Sequence, residues 1–149
     1  MARTSLVNRV PAAVLSSPLH PLLSTRRLVL TFVGLRSGVR YAIPVNYLQR
    51  GRELLITTNS RWWRNLGGGV PVELRLRGRR VGARAEAVRE PDAVAEALTA
   101  LVRDHRPYGR WARVRVGADG TPDAADVRAE VGRGRVLVRV QLPDDTAAP

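Results

Sequence analysis

The chain has 149 residues, the size of one ordinary domain, and 44% of them are hydrophobic, which is enough for a core of its own. It contains no cysteine, which excludes a disulfide scaffold, a zinc ribbon and a thiol nucleophile. All 25 basic residues are arginine, and the net charge of +12 favours an anionic partner: a nucleic acid, an acidic membrane surface or a phosphorylated cofactor.

Residues 1–24 are predicted to be a lead-in that is partly helical, because apolar residues recur at near-helical spacing between prolines. The segment is either a loosely docked terminus or a cover that rests on the rest of the domain or on a membrane surface. It lacks the apolar centre of a signal peptide, and no stretch of the sequence is long enough for a membrane span. We therefore expect a cytoplasmic protein.

Six strands are predicted where apolar residues alternate with a period of two or fill both faces of a short run. They cover residues 28–33, 41–47, 53–58, 72–76, 81–87 and 136–142. The first is apolar on both faces and is expected to be central in its sheet. Residues 49–52 are expected to form a hairpin connection.

Three helices are predicted between these strands. A short helix would begin after Asn59 or Ser60, a second would cover residues 92–104, and a third would begin at Thr121 as N-cap with Pro122 as its first residue. Strands and helices do not alternate, which excludes a doubly wound parallel sheet. The order predicts a mainly β (α+β) domain over residues 25–142, with a crossing helix, short peripheral helices and a disordered tail over residues 143–149.

The first candidate binding segment lies between the first two predicted strands and reads GLRSGVR. Its two glycines let the backbone tighten, while Arg36 and Arg40 supply charge and Ser37 supplies a hydroxyl. These are the components of a phosphate cradle. The alternative is an ordinary basic hairpin turn.

The second candidate segment reads RWWRN. One of its two indoles would line a site for a planar ring, and Arg64 and Asn65 would hydrogen-bond an anionic or carbonyl-rich ligand. The alternative is a packing cluster, since tryptophan is highly buried on average. Polar residues on the second and third strands, Thr57 and Thr58 among them, are either partners for such a ring or simply good strand formers.

Several kinds of site are not predicted. His20 and His105 are far apart and have no carboxylate cluster of ligand spacing, so we expect no metal. No catalytic triad or carboxylate pair is visible, so no catalytic residue is assigned and a cofactor would supply the reactivity. Aromatic residues make up only 5% and do not lie among the arginines of the fourth and fifth strands, so nucleic acid is not the expected partner.

Two stretches carry a resemblance to a known protein family, LVLTFVGLRSGVRYAIPVNYLQRGRELLITT and WWRNLGGGVPVELRLRGRRV. Together they resemble the deazaflavin-dependent nitroreductases and quinone reductases. The resemblance is clear over residues 28–87 and holds only in outline over residues 92–142. It implies the split β-barrel fold that this family shares with pyridoxamine-phosphate oxidase-like flavoproteins, here with six antiparallel strands.

The resemblance implies a homodimer that binds coenzyme F420, a reduced 8-hydroxy-5-deazaflavin. Hydride would pass from it to a quinone, a nitro group or an activated alkene, in general reduction or in a biosynthetic tailoring step. Carried over by position, Arg36 and Ser37 hold the cofactor phosphate, and Trp62 and Asn65 match the family's W-x-x-N signature. The residues that line the ring system are Pro44, Val45, Thr57, Thr58 and Asn59.

The sequence departs from the family pattern at Leu35, where a basic residue is usual, and at Tyr41, where arginine is common. Tyr41 is kept among the cofactor-binding positions, and Arg40, Arg61 or Arg64 can replace the missing charge. FMN is the alternative cofactor, and a non-catalytic barrel that binds an anionic ligand is the alternative function. The expected residues of the small-molecule substrate pocket are Tyr47, Tyr108 and Trp111.

Overall fold

A computed structural model describes residues 26–144, so the predictions for residues 1–24 and 145–149 lie outside the described residues. The described chain is mainly β, as predicted, with one curled antiparallel sheet and three α-helices. The strands are β1 (Arg27–Val33), β2 (Arg40–Asn46), β3 (Leu48–Arg50), β4 (Glu53–Thr58), β5 (Val70–Leu76), β6 (Arg79–Val88) and β7 (Val136–Gln141). The helices are a 3-10 helix (Arg61–Asn65), α1 (Pro91–Asp104), α2 (Tyr108–Ala112) and α3 (Ala124–Gly132).

The strands form a single sheet in the order β2-β1-β5-β6-β7-β4-β3. Every described ladder is antiparallel. Strand β2 at one edge also packs against β4 near the other edge, although none of the described ladders joins the two. The sheet therefore curls into a half-barrel with a gap between β2 and β4.

The predicted count of six strands was wrong, because the described residues contain seven. The additional strand is β3, where Leu48 pairs with Leu55 and Arg50 pairs with Glu53 of β4. The predicted connection over residues 49–52 is therefore only a two-residue turn, at which Gly51 adopts a φ of 61°. A three-residue strand is too short to show the alternation by which strands are recognised.

The long helix agrees with its predicted pattern, and the others differ in detail. In α1 the carboxylate of Glu90 accepts from the amides of Asp92 and Ala93, which caps the helix. Helix α3 is capped by Asp123 rather than by the expected Thr121. Pro122 bridges back to Val116 instead of starting the helix.

The two short helices were predicted less well. Ser60 occupies the N-cap position of the 3-10 helix, but its side chain makes no capping bond. Residues Tyr108–Ala112 form helix α2, which is not among the three helices predicted from the sequence. None of the helices that the structure describes combines the length and the apolar content that crossing a bilayer requires.

The main core fills the inside of the curled sheet. Leu28 and Leu30 of β1, Leu54 of β4 and Leu74 of β5 are fully buried there. The neighbouring Val29 is buried as well, and β1 has a strand on each side, β2 and β5, as the prediction of a central first strand requires. A second apolar cluster joins α1, α2 and α3.

Shortening a buried leucine should destabilise the protein more than shortening an exposed one. We expect Leu74→Ala to lower the free energy of unfolding by about 2–5 kcal/mol, because it loses buried apolar surface and leaves a cavity. The matched control is Leu35→Ala, whose side chain is 69% exposed and should cost less than about 0.5 kcal/mol. Urea denaturation followed by tryptophan fluorescence measures both. Equal losses for the two variants would contradict the described core.

Candidate functional site

The gap between β2 and β4 opens into a cleft of about 1040 Å³. Its walls are the end of β1, the C-terminal half of β2, the end of β4 and the 3-10 helix, together with the bend of residues 34–38. The structure brings the following predicted site residues together at this cleft: Arg36, Ser37, Tyr41, Pro44, Val45, Thr57, Thr58, Trp62, Arg64, Asn65 and Tyr108.

The bend is a tight, hydrogen-bonded turn. The Gly34 amide donates to the carbonyl of Val39 at 2.8 Å, and the Gly38 amide donates to the carbonyl of Gly34 at 3.0 Å. Gly38 has a φ of 68°, a conformation that glycine adopts without strain. At Gly34 the reason for glycine is space, since a Cβ there would lie 2.7 Å from the Ser37 Oγ and 2.8 Å from the Tyr41 ring.

Asn65 connects the bend to the 3-10 helix. Its Oδ1 accepts from the backbone amide of Leu35 at 2.9 Å, and its Nδ2 donates to the carbonyl of Trp62 at 2.9 Å. Both ends of the amide are thus bonded to backbone. Asn65 holds two walls of the cleft together in this structure.

Three aromatic rings form one wall. Phe32 stacks on Tyr41 with ring centroids 5.5 Å apart and on Trp62 with centroids 5.7 Å apart. Both interpretations of the tryptophan pair therefore apply to Trp62, which packs against the core and also lines the cleft. Trp63 lies under the guanidinium groups of Arg64 and Arg89 instead.

The opposite wall is made of hydroxyl groups. The Thr57 hydroxyl lies 2.7 Å from the Tyr108 hydroxyl, which also donates to the Thr57 carbonyl at 3.1 Å. The Thr58 hydroxyl accepts from the backbone amide of Ser60 at 3.0 Å. Burial raises the pKa of Tyr108 above its ordinary value, while the hydrogen bond to Thr57 opposes that rise.

The charge on the cleft has one sign. Among the described residues that line it, Arg36, Arg61 and Arg64 are basic and none is acidic. Arg36 and Arg61 take part in none of the ion pairs found within residues 26–144. Such a cleft attracts anions. The described residues hold no group of three or more metal-ligating side chains.

The remaining predicted site residues lie away from the cleft. Arg40 faces Glu73 at 3.5 Å, and Asn59 is exposed in the turn after β4. Tyr47 is buried in the core, where its hydroxyl accepts from Arg77 at 3.3 Å and burial raises its pKa. Trp111 is 55% exposed and stacks under Arg27.

Sequence reasoning left some residues of the cleft out of the predicted site: Phe32, Gly34, Leu35, Ile43 and Ser60. Arg61 was named only as a replacement for the missing charge. A usable signal existed for Phe32, because it shares the inward face of β1 with Leu28 and Leu30 at a period of two. Arg61 and Ser60 adjoin Trp62, but nothing in the sequence shows which way a short helix turns its side chains.

Comparison with known proteins gives matches only among solved structures. The chain matches no protein-family model and no curated protein. A structure of the FAD and heme binding protein from Mycobacterium smegmatis is similar with a TM-score of 0.51 and 23% identity, over 87% of this chain and 68% of that one. The flavocytochrome Anf3 from Azotobacter vinelandii is similar with a TM-score of 0.50 and 15% identity, over 90% of this chain and 63% of that one. Both structures share the fold of this chain.

A third similar structure is a domain-swapped dimer. Its TM-score is 0.55 and its identity 12%, over 89% of this chain and 94% of that one. At these identities the likeness establishes the shared fold.

The close approach at Gly34 gives a test of the bend. We expect Gly34→Ala to destabilise the protein by about 1–3 kcal/mol, because the new methyl overlaps the Ser37 side chain and the buried Tyr41 ring. Thermal and urea unfolding measure the loss. The control is Gly68→Ala, where nothing lies within 4 Å of the added Cβ. If Gly34→Ala were as stable as Gly68→Ala, the bend would not have the described conformation.

Proposed function

We propose that the chain is a cofactor-dependent reductase that passes hydride from a deazaflavin or flavin to a small organic acceptor. The cleft carries this proposal, because it combines a stacked aromatic wall, a hydroxyl wall and three arginines without an acidic side chain. Its volume of about 1040 Å³ is at the upper end of the roughly 300–1,000 Å³ typical of small-molecule sites. A planar redox ring with an anionic tail has complementary chemistry for each wall.

The strand residues would hold the ring of the cofactor. Pro44 and Val45 on β2 offer apolar surface, and Thr57 and Thr58 on β4 offer hydroxyl groups opposite them. When bound, the ring would supply hydride chemistry that none of the side chains lining the cleft can supply. The chain's own contribution is to orient the ring and the acceptor and to exclude water.

The bend would hold the phosphate of the cofactor. Arg36 and Ser37 are exposed on it, and Arg61 and Arg64 line the same cleft from the 3-10 helix. These two helix arginines offset the missing cations at Leu35 and Tyr41. Tyr41 has a different task, since its ring is buried against Phe32 and its hydroxyl lies 3.5 Å from the Ser37 hydroxyl, which it supports.

Coenzyme F420 is the cofactor that we propose, on the resemblance of the cleft-forming segments to deazaflavin-dependent reductases. FMN is the second candidate, because two of the similar structures are of flavin proteins. The acceptor would be a quinone, a nitro compound or an activated alkene. A homodimer is proposed as well, and the domain-swapped dimer among the similar structures is consistent with it.

Binding of three ligands tests the proposal. Purified protein is titrated with oxidised F420, with FMN and with riboflavin, and the ligand fluorescence is followed. We expect micromolar binding of F420 or FMN and binding of riboflavin that is about tenfold or more weaker, because riboflavin lacks the phosphate that the arginines would contact. If neither phosphorylated ligand binds below about millimolar, a free energy near −4 kcal/mol, the proposal is wrong.

Removing one arginine tests the role of the bend. We expect Arg36→Ala to weaken binding of the phosphorylated cofactor by about 1.5–3 kcal/mol, the range of hydrogen bonds to charged groups. Riboflavin binding should change little. The matched control is Arg79→Ala, which removes an exposed arginine from β6, outside the cleft. Unchanged affinity in Arg36→Ala would remove Arg36 from the site, and an equal loss in Arg79→Ala would point to a general charge effect.

A further inference from the structure

An ion pair is buried next to the hydroxyl wall of the cleft. Glu130 of α3 and Arg135, which precedes β7, have side chains only 2% and 5% exposed. Oε2 of Glu130 accepts from Nε of Arg135 at 3.0 Å and from Nη2 at 2.8 Å, while Oε1 accepts from the more exposed Arg133 at 2.8 Å. Burying two charges is unfavourable unless further hydrogen bonds satisfy them. Arg135 makes one further hydrogen bond, to Thr57.

That bond reaches the cleft. Nη1 of Arg135 donates to the Thr57 hydroxyl at 3.3 Å, and the Thr57 hydroxyl is 2.7 Å from that of Tyr108. A guanidinium can only donate, so the Thr57 oxygen accepts from it. The Thr57 proton is then available to Tyr108, and the Tyr108 proton goes to the Thr57 carbonyl at 3.1 Å. The charge on Arg135 fixes the direction of its own bond, and the bond from Tyr108 to the Thr57 carbonyl leaves the Thr57 hydroxyl as the donor to Tyr108.

We propose that Glu130 and Arg135 are positioning residues of the cleft, which act through the Thr57 hydroxyl to fix the orientation of the Tyr108 phenol. Thr57 and Tyr108 both line the cleft, whereas neither member of the ion pair does. In the reductase proposed above, on which this inference rests, Tyr108 presents its hydroxyl to the polar edge of the bound ring or acceptor. The network joins residues of α3, α2 and β4 to the residue before β7, so this wall is set by the fold.

The charges of the pair act on Tyr108 with opposite signs. Burial raises the pKa of Tyr108, the Thr57 hydrogen bond and the positive charge of Arg135 lower it, and the negative charge of Glu130 raises it. These two are the charged groups that act on the phenol, and Trp111 packs against its ring edge-on. Removing either charge should therefore shift the ionisation of Tyr108 in a direction set by the sign of that charge.

The ligand-free protein gives a signed test. Tyrosine labelled with ¹³C at Cζ is observed by NMR above the ordinary tyrosine pKa of about 10, and Tyr108→Phe assigns the signal. We expect Glu130→Gln to increase the ionised fraction of Tyr108, because a nearby negative charge is removed. Glu130→Gln combined with Arg135→Met should decrease it, because the nearer cation is then lost as well. Equal ionisation in all three proteins would overturn the proposal.

Two controls distinguish an effect transmitted through this hydrogen-bond network from a general effect on the structure. Asp126→Asn removes an acid from the same helix α3, where it pairs with Arg115 at 2.8 Å on the surface, and should leave Tyr108 unmoved. The buried Tyr47, bonded to Arg77, is an internal reference in every spectrum. If the ion-pair variants do not fold, Thr57→Val tests the same link with the pair intact, and we expect it to decrease the ionised fraction of Tyr108. No change in Thr57→Val would contradict the proposed route.

Kinetics then distinguish this proposal from the proposed function. In the loaded enzyme, the double variant should lower kcat by about tenfold to a hundredfold, as expected for a small misplacement, with cofactor Kd and acceptor KM changed by less than about threefold. If the wild-type protein binds neither flavin nor deazaflavin, the proposed reductase function is wrong. The NMR experiment still tests the hydrogen-bond network in that case. If the double variant turns over as fast as the wild-type enzyme, only the proposed positioning role is wrong.

Discussion

Strands β2 and β4 lie against each other where the sheet curls round, and no ladder among the described strands pairs them. The sheet therefore stays open between these two strands. The cleft lies at this opening, bordered by Pro44 and Val45 of β2 and by Thr57 and Thr58 of β4. The candidate site is a consequence of incomplete closure.

Two connecting segments meet across the same gap. The bend after β1 and the 3-10 helix after β4 come from opposite sides of the gap, and the bond from the Leu35 amide to Asn65 joins them. Three strands, β2, β3 and β4, separate the two segments in the sequence. One side-chain amide thus fixes the distance between the arginine of the bend and the arginines of the helix.

The sequence predicted those parts of the fold whose signal is local and repeated. Helix α1 shows an apolar stripe from Val94 to Val102 over more than two turns, and β1 is apolar on both faces, so both were recognised from the pattern. Strand β3 is too short for a pattern, and helix α2 is a single turn. The cap of α3 was assigned two residues early, because Thr121 and Asp123 are both good N-caps and only tertiary contacts chose between them.

Side-chain direction was the limit for the candidate site. Tyr47 and Tyr108 are chemically identical in the sequence, yet one points into the core beside Arg77 and the other joins the cleft wall. Glu130 and Arg135 were not predicted at all, because charged residues are almost always exposed and nothing in the sequence identifies a buried pair. The net charge was equally ambiguous, since many arginines face acids in exposed ion pairs that contribute little.

The walls of the cleft differ in how far folding has already ordered them, and this decides where binding energy comes from. Thr57, Asn65 and the stacked rings of Phe32 and Trp62 are held by protein contacts, so they lose little further freedom when a ligand binds. Arg36 is exposed and makes no ion pair within residues 26–144, so its ordering opposes the attraction that it offers an anion. In the proposed function, the ordered walls would contribute selectivity for a planar ring, and the arginines would contribute long-range attraction that depends on the salt concentration.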